Sequence, residues 1–143
     1  MRLFVTYLLA VSGMATSANA QSVVGKWAVT WDADISIDHD TAIVKSRKPA
    51  TLDLTQRGDS IFGVWTTGPS AGIPVRGTFD GRSLNLSSGV TERAGMIDGK
   101  PTPMKVRWDI SGSVQASKIS GVLMLYLGAL SPVPRRWEAQ RAP

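Results

Sequence analysis

Gly25-Lys26-Trp27-Ala28-Val29-Thr30-Trp31 alternates bulky apolar and smaller or polar residues. Trp27, Val29 and Trp31 share one parity, and Lys26, Ala28 and Thr30 share the other. That is the period of a strand with one buried face. A strand so rich in tryptophan needs partners on both edges. Further along, short alternating runs are separated by turn residues, and long helical periods are missing. The pattern predicts an all-β fold, an eight-stranded antiparallel up-and-down meander closed into a barrel. Its last strand, Arg135 to Arg141, is expected to pair with the first. Closure would remove both sheet edges. A two-sheet sandwich is the alternative and would need crossing connections.

The intermediate strands follow from the same alternation. They are expected at Ala50–Gln56, Ser60–Thr66, Ile73–Phe79, Arg82–Ser87, Met104–Ile110 and Lys118–Tyr126. Asp80-Gly81 reads as the strongest hairpin signal, because both residues tolerate positive φ. Gly77, inside the fourth run, marks a bend. Two long connections remain, 32–48 and 88–103. The first is acidic and then basic; Pro49 ends it and fits only an edge or the start of a strand. Val122 to Leu130 could also be read as a short buried helix, but it lies between Gly121 and Gly128 and strand is preferred.

Of the 143 residues, the first twenty are expected to be a secretory signal peptide. Met1-Arg2 is basic, Leu3 to Val11 is apolar, and Ala18-Asn19-Ala20 is a small-x-small cleavage site before Gln21. Residues 21–143 then form a single barrel domain, expected in the periplasm or outside the cell, with no transmembrane segment. The chain has no cysteine. Disulfides, thiol catalysis, thiolate metal sites and a lipidated cysteine at the cleavage site are therefore not expected. The net charge is +5, one unit of it from Arg2, and the basic residues are scattered. Nucleic acid is not an expected partner.

Gly25-x-Trp27, Leu52-x-Leu54 before Gln56-x-Gly58-Asp59, Gly77 before Asp80-Gly81, and the ending Trp137-Glu138-Ala139-Gln140-Arg141 occur in an order that spans nearly all of 25–141. In these features the chain resembles small bacterial secreted domains of lipocalin-like, or calycin, type. The resemblance implies that Trp27 closes one end of a barrel and that an arginine of the last strand, Arg141 or in its place Arg136, packs on its ring. Gly25 and Trp137 join them as structural residues. It also implies that 32–48 lies over the open end as a lid, though here that segment is longer and more charged than the family pattern.

Candidate chemistry is sparse. Asp32, Asp34 and Asp38 are weak metal candidates, since hard cations favour carboxylate sets, but the glycine and distal glutamate of a calcium loop are missing. His39 is the single histidine. No nucleophile is placed beside it, so an enzyme is not expected, nor a cofactor. Trp31, Trp65, Phe79, Trp108 and Met124 are candidates to line an apolar cavity; the competing reading is that such side chains simply fill the barrel. Two functions follow. One is a secreted barrel holding a small apolar or amphipathic ligand in its interior. The other is a filled barrel that acts as a protein-interaction or inhibitor module of the cell envelope through 32–48 and 88–103, its protein partner unspecified.

Overall fold

The computed structural model describes residues 22–69 and 71–143. The expected signal segment 1–20 and the Ala20–Gln21 junction lie outside them. Nine strands follow one another: β1 (Gly25–Asp38), β2 (Thr41–Arg57), β3 (Ser60–Thr66), β4 (Ile73–Phe79), β5 (Ser83–Ser87), β6 (Thr91–Ile97), β7 (Lys100–Gln115), β8 (Lys118–Leu127) and β9 (Val133–Arg141). All pairings are antiparallel, and eight strands form a ring in the order β1-β2-β3-β4-β5-β7-β8-β9. Head meets tail: Trp27 stands opposite Arg141, and Trp31 opposite Trp137. The barrel is closed, with up-and-down neighbour order. β6 stays outside the ring and pairs with the first part of β7.

The two long connections are therefore ribbons. β9 leaves β1 at Trp31, and β3 leaves β2 at Thr51. Beyond those points Asp32–Asp38 and Thr41–Lys48 pair with each other alone. Likewise β8 joins β7 only from Val106, so 100–105 pairs with β6 alone. The prolines obey this division. Pro49, Pro74, Pro101, Pro103 and Pro134 all lie inside strands, and each sits where its strand has one neighbour rather than two. A residue without an N–H costs no ladder bond on an open side. Pro49 thus permits β2 to run through it, where the sequence suggested a stop.

Both ribbons leave the same end of the barrel, here called the mouth. The opposite end carries the tight turns at Gly58, Gly81 and Ala116, and it is plugged. Val23 and Trp27 are fully buried there, and Trp27 Nε1 donates to the Val23 carbonyl at 2.9 Å. Arg141 lies over the Trp27 ring at 4.4 Å and donates to the carbonyls of Val24 and Ser22.

Between the ends, inward residues from every ring strand form one continuous core, among them Leu52, Leu54, Ile61, Leu84, Ile110, Ile119 and Leu123. The interior at this level is filled by side chains. One detail shows how closely. Gly112 and Gly121 face each other across β7 and β8, and Trp137 is the register partner of Gly121. A Cβ on Gly112 would meet the Trp137 ring at 2.9 Å. The indole occupies the space Gly112 leaves, a Cβ on Gly121 would strike the backbone of Ser111 and Gly112, and the indole N–H donates to the Ser111 carbonyl at 3.0 Å.

Candidate functional site

The mouth is built from tryptophan. Trp31 on β1, Trp65 at the end of β3 and Trp108 on β7 converge there. Trp31 meets Trp65 edge to face, with ring centroids 6.0 Å apart, and meets Trp108 at 5.9 Å. Trp137 continues the stack downward, 5.7 Å from Trp65. Edge-to-face pairs at these separations are favourable beyond the area they bury. Ala33, Ile73, Trp108 and Leu125 are partly buried against the core at the same end.

Alternation explains which candidates arrive. Trp31, Trp65 and Trp108 share the inward parity of their strands. Met124 lies between the inward Leu123 and Leu125, so it faces the outside of the barrel. Phe79 points inward but closes β4 beside the Asp80 turn, at the plugged end. Neither belongs to the mouth. Gly25, Trp27 and Arg141 stand at the plugged end, and Trp137 stands in the core below Trp65.

A residue that sequence reading passed over completes the mouth. Arg135 has the same parity as Trp137 and Ala139, and it reaches inward. Its guanidinium lies 5.7 Å from the centre of the Trp31 ring, and Nη1 donates to the Ala33 carbonyl at 2.6 Å. The signal was available: β9 alternates, and extending the period back from Trp137 lands on Arg135. It was lost beside the exposed Arg136.

The mouth holds an imbalance of hydrogen-bonding groups. At the mouth, the buried Nε1 of Trp31, Nε1 of Trp65 and Nε of Arg135 have no acceptor; elsewhere among the described residues the Nε of Arg107 has none either. Trp31 is 7% exposed and Trp65 1%. All three are donors only, and they lie along one chain of ring contacts. Leaving a buried donor unmatched costs about 1–3 kcal/mol each. Open space adjoins Trp31 and Arg135. A cleft of about 400 Å3 is lined by Trp31, Ala33, Asp34, Lys48, Pro49 and Thr67, among others. A second, of about 320 Å3, has Ile37, Leu125, Leu127, Leu130 and Val133 as apolar walls and Arg135 at one side.

The acidic segment does other work. Asp32, although on the outer face, is buried; it accepts from Arg47 Nε at 3.1 Å and from the Arg136 amide at 3.3 Å. Asp34 accepts from the Ser46 hydroxyl and pairs with Lys48 Nζ at 3.1 Å. These bonds, the hydroxyl first, hold its carboxyl below the ordinary carboxylate range. Asp38 pairs with His39 at the ribbon tip. The three carboxylates are thus spread along the ribbon, each with its own partner. Among the described residues, no group of three or more histidine, cysteine or acidic side chains is arranged to hold a metal ion. Comparison with family models, with curated proteins and with solved structures gave no match.

Proposed function

We propose that this chain is a secreted barrel of calycin type, working in the periplasm or outside the cell, and that its mouth takes a small amphipathic molecule. The deep interior is packed, so the ligand sits at the rim. Its acceptor group meets the donors of Trp31, Trp65 and Arg135, and its apolar part lies along Leu125, Leu127 and Val133. The observation that carries this reading is the set of three buried donors at the mouth with no acceptor, in one contact chain of which Trp31 and Arg135 border open clefts. Buried polar groups are nearly always paired, and exceptions call for a ligand or a water. A carboxylate or similar oxyanion is the best complement, because hydrogen bonds to a charged acceptor are stronger than neutral ones.

The test compares a fluorescent long-chain carboxylic acid with its methyl ester. The acid should bind about tenfold or more tightly than the ester, and Arg135→Gln should remove most of that difference. If neither probe binds, or if both bind equally to the wild type and to Arg135→Gln, the reading fails.

One observation favours a second reading. Exposed apolar side chains gather on the ribbons: Ile37, Ile43 and Val44 on one, Met96 and Ile97 on the other, with Val90 just before it. That is the surface expected of a protein-interaction or inhibitor module acting through 32–48 and 88–103. Retention of an envelope protein by the wild type but not by Ile37→Asp or Ile97→Asp would support it.

A further inference from the structure

Among the described residues β6 has a neighbour on one side only, and its hydrogen-bonding directions follow from two prolines. Pro101 and Pro103 stand opposite Met96 and Ala94. A proline has no N–H to give, so both pairs are of the non-hydrogen-bonded kind. The strands therefore exchange their bonds through the alternate pairs, Arg93 with Met104, Gly95 with Thr102 and Ile97 with Lys100. The two-residue turn agrees with that phase. Asp98 and Gly99 have φ of 50° and 73°, and the Ile97–Lys100 pair closes the hairpin. In consequence the N–H and C=O groups of Glu92, Ala94 and Met96 point away from β7. The ribbon's two edges are unequal. The β7 edge has lost two donors to proline and is blunted; the β6 edge keeps all of its own.

We infer that β6 is a self-association edge, pairing antiparallel with β6 of a second copy about a two-fold axis at Ala94. Charge and strand length together select that register. An axis at Glu92 sets Glu92 against its own copy, and an axis at Arg93 does the same for arginine; like charges directly opposite are unfavourable. An axis at Ala94 sets Glu92 opposite Met96, Arg93 opposite Gly95 and Thr91 opposite Ile97, so no like charges meet. Ala94 is also the midpoint of the seven-residue strand, so this register uses its whole length. That the strand can pair with itself over its whole length without opposing like charges is what points to a second copy rather than to a foreign strand. Pairing would also bring partners to Met96 and Ile97, which are 68% and 46% exposed. One edge of this length covers less than a stable dimer needs, so the association is weak and depends on concentration.

Sedimentation of the protein from micromolar to millimolar concentration tests this. The wild type should pass from monomer to dimer. Ala94→Pro should remain monomeric and keep the native tryptophan fluorescence, because the amide it removes points away from β7. Two charge variants separate register from general stickiness. Met96→Lys faces Glu92 twice in the dimer and should tighten it about tenfold; Met96→Glu should weaken it by a similar factor. The inference is overturned if the wild type stays monomeric at millimolar concentration, which would leave the edge to a strand of another chain. It is also overturned if Ala94→Pro dimerises normally, or if both Met96 variants weaken association alike.

Discussion

Arg135 donates its Nη1 to the carbonyl of Ala33 at 2.6 Å, which ties β9 to an irregularity in β1. Ala33 is the residue left over where the register slips: Asp32 pairs with Arg47 and Asp34 with Ser46, and Ala33 has no partner. A bulge leaves backbone groups outside the ladder, and here the last strand supplies the missing donor. Arg135→Leu keeps the apolar stem against Trp31 and removes the bond. The lost bond should cost about 1–2 kcal/mol, offset in part by removal of the unmatched Nε–H. The loss should be local, with faster amide exchange across 33–46 and unchanged exchange in β3 and β4.

Gly112 and Trp137 make the most sensitive contact in the core. Gly112→Ala places a methyl 2.9 Å from the indole and 2.7 Å from an Ile119 methyl group. Neither can retreat, since the indole is held by Ser111 and Ile119 is fully buried. Overpacking of this kind should destabilise by about 1–3 kcal/mol. Thermal unfolding followed by near-ultraviolet circular dichroism would report both the loss and any disturbance of Trp137.

At the plugged end Arg141 acts through its shape as well as its charge. It covers the Trp27 ring and donates to two carbonyls near the start of the described chain. Arg141→Ala should destabilise by about 1–2 kcal/mol, from the lost cation–π contact and the lost bonds. Arg141→Lys should recover only part, because an ammonium cannot span both carbonyls from one plane. Chemical denaturation of the three proteins would show the order wild type, lysine, alanine.

Two carboxylates make the fold sensitive to acid. Asp80 Oδ1 accepts from the amides of Ser83 at 2.7 Å and Arg82 at 2.9 Å, and those bonds, Ser83 first, lower its pKa. The pKa of Asp34 is lowered by Ser46 and then by Lys48. A carboxyl whose pKa is lower folded than unfolded binds its proton more weakly in the native state. It stabilises the fold above its unfolded pKa, and that contribution is lost as pH falls through its folded value. Denaturant midpoints should therefore fall on acidification below the ordinary aspartate range. In Asp80→Asn the part of this slope due to Asp80 should be absent.

The ring was legible because inward residues recur every second position from Trp27 to Ala139, and because Trp27 and Trp137 mark the strands that close it. The ribbons were not legible. The Asp98-Gly99 turn carries the same dipeptide as Asp80-Gly81, but Glu92-Arg93 and Pro101 with Pro103 flank it, and such residues argue against a strand unless one side is open. Alternation cannot report how many neighbours a strand has. Asp80-Gly81 was in turn read too simply: Phe79 pairs with Leu84, so the loop is longer than two residues, and the Asp80 side chain organises it. Trp31, Trp65 and Trp108 were found by size and parity. Phe79 passed the same filter and failed on height in the barrel, which a sequence period does not encode. Arg135 failed a filter that discounts charge on an inward face.

The buried donors at the mouth set stability against binding. An indole N–H without an acceptor is a cost to the empty fold, so removing only that N–H should relieve it. Replacing Trp31 by benzothienylalanine keeps the fused rings and puts sulfur where the N–H was. The edge-to-face contact with Trp65 and the tilted contact with Trp108 should survive, since they depend on ring shape. The protein should then unfold at the same or a higher temperature, because an unmatched donor replaced by an apolar group of like shape is neutral or stabilising. Affinity for the carboxylic acid probe should fall about threefold to tenfold, the loss of one hydrogen bond to a bound acceptor. Affinity for the methyl ester should change less. Thermal unfolding and probe titration on the same sample separate the two effects. A lower midpoint with unchanged affinity would mean that the Trp31 N–H is satisfied in the free protein, by water, and is not held for a ligand.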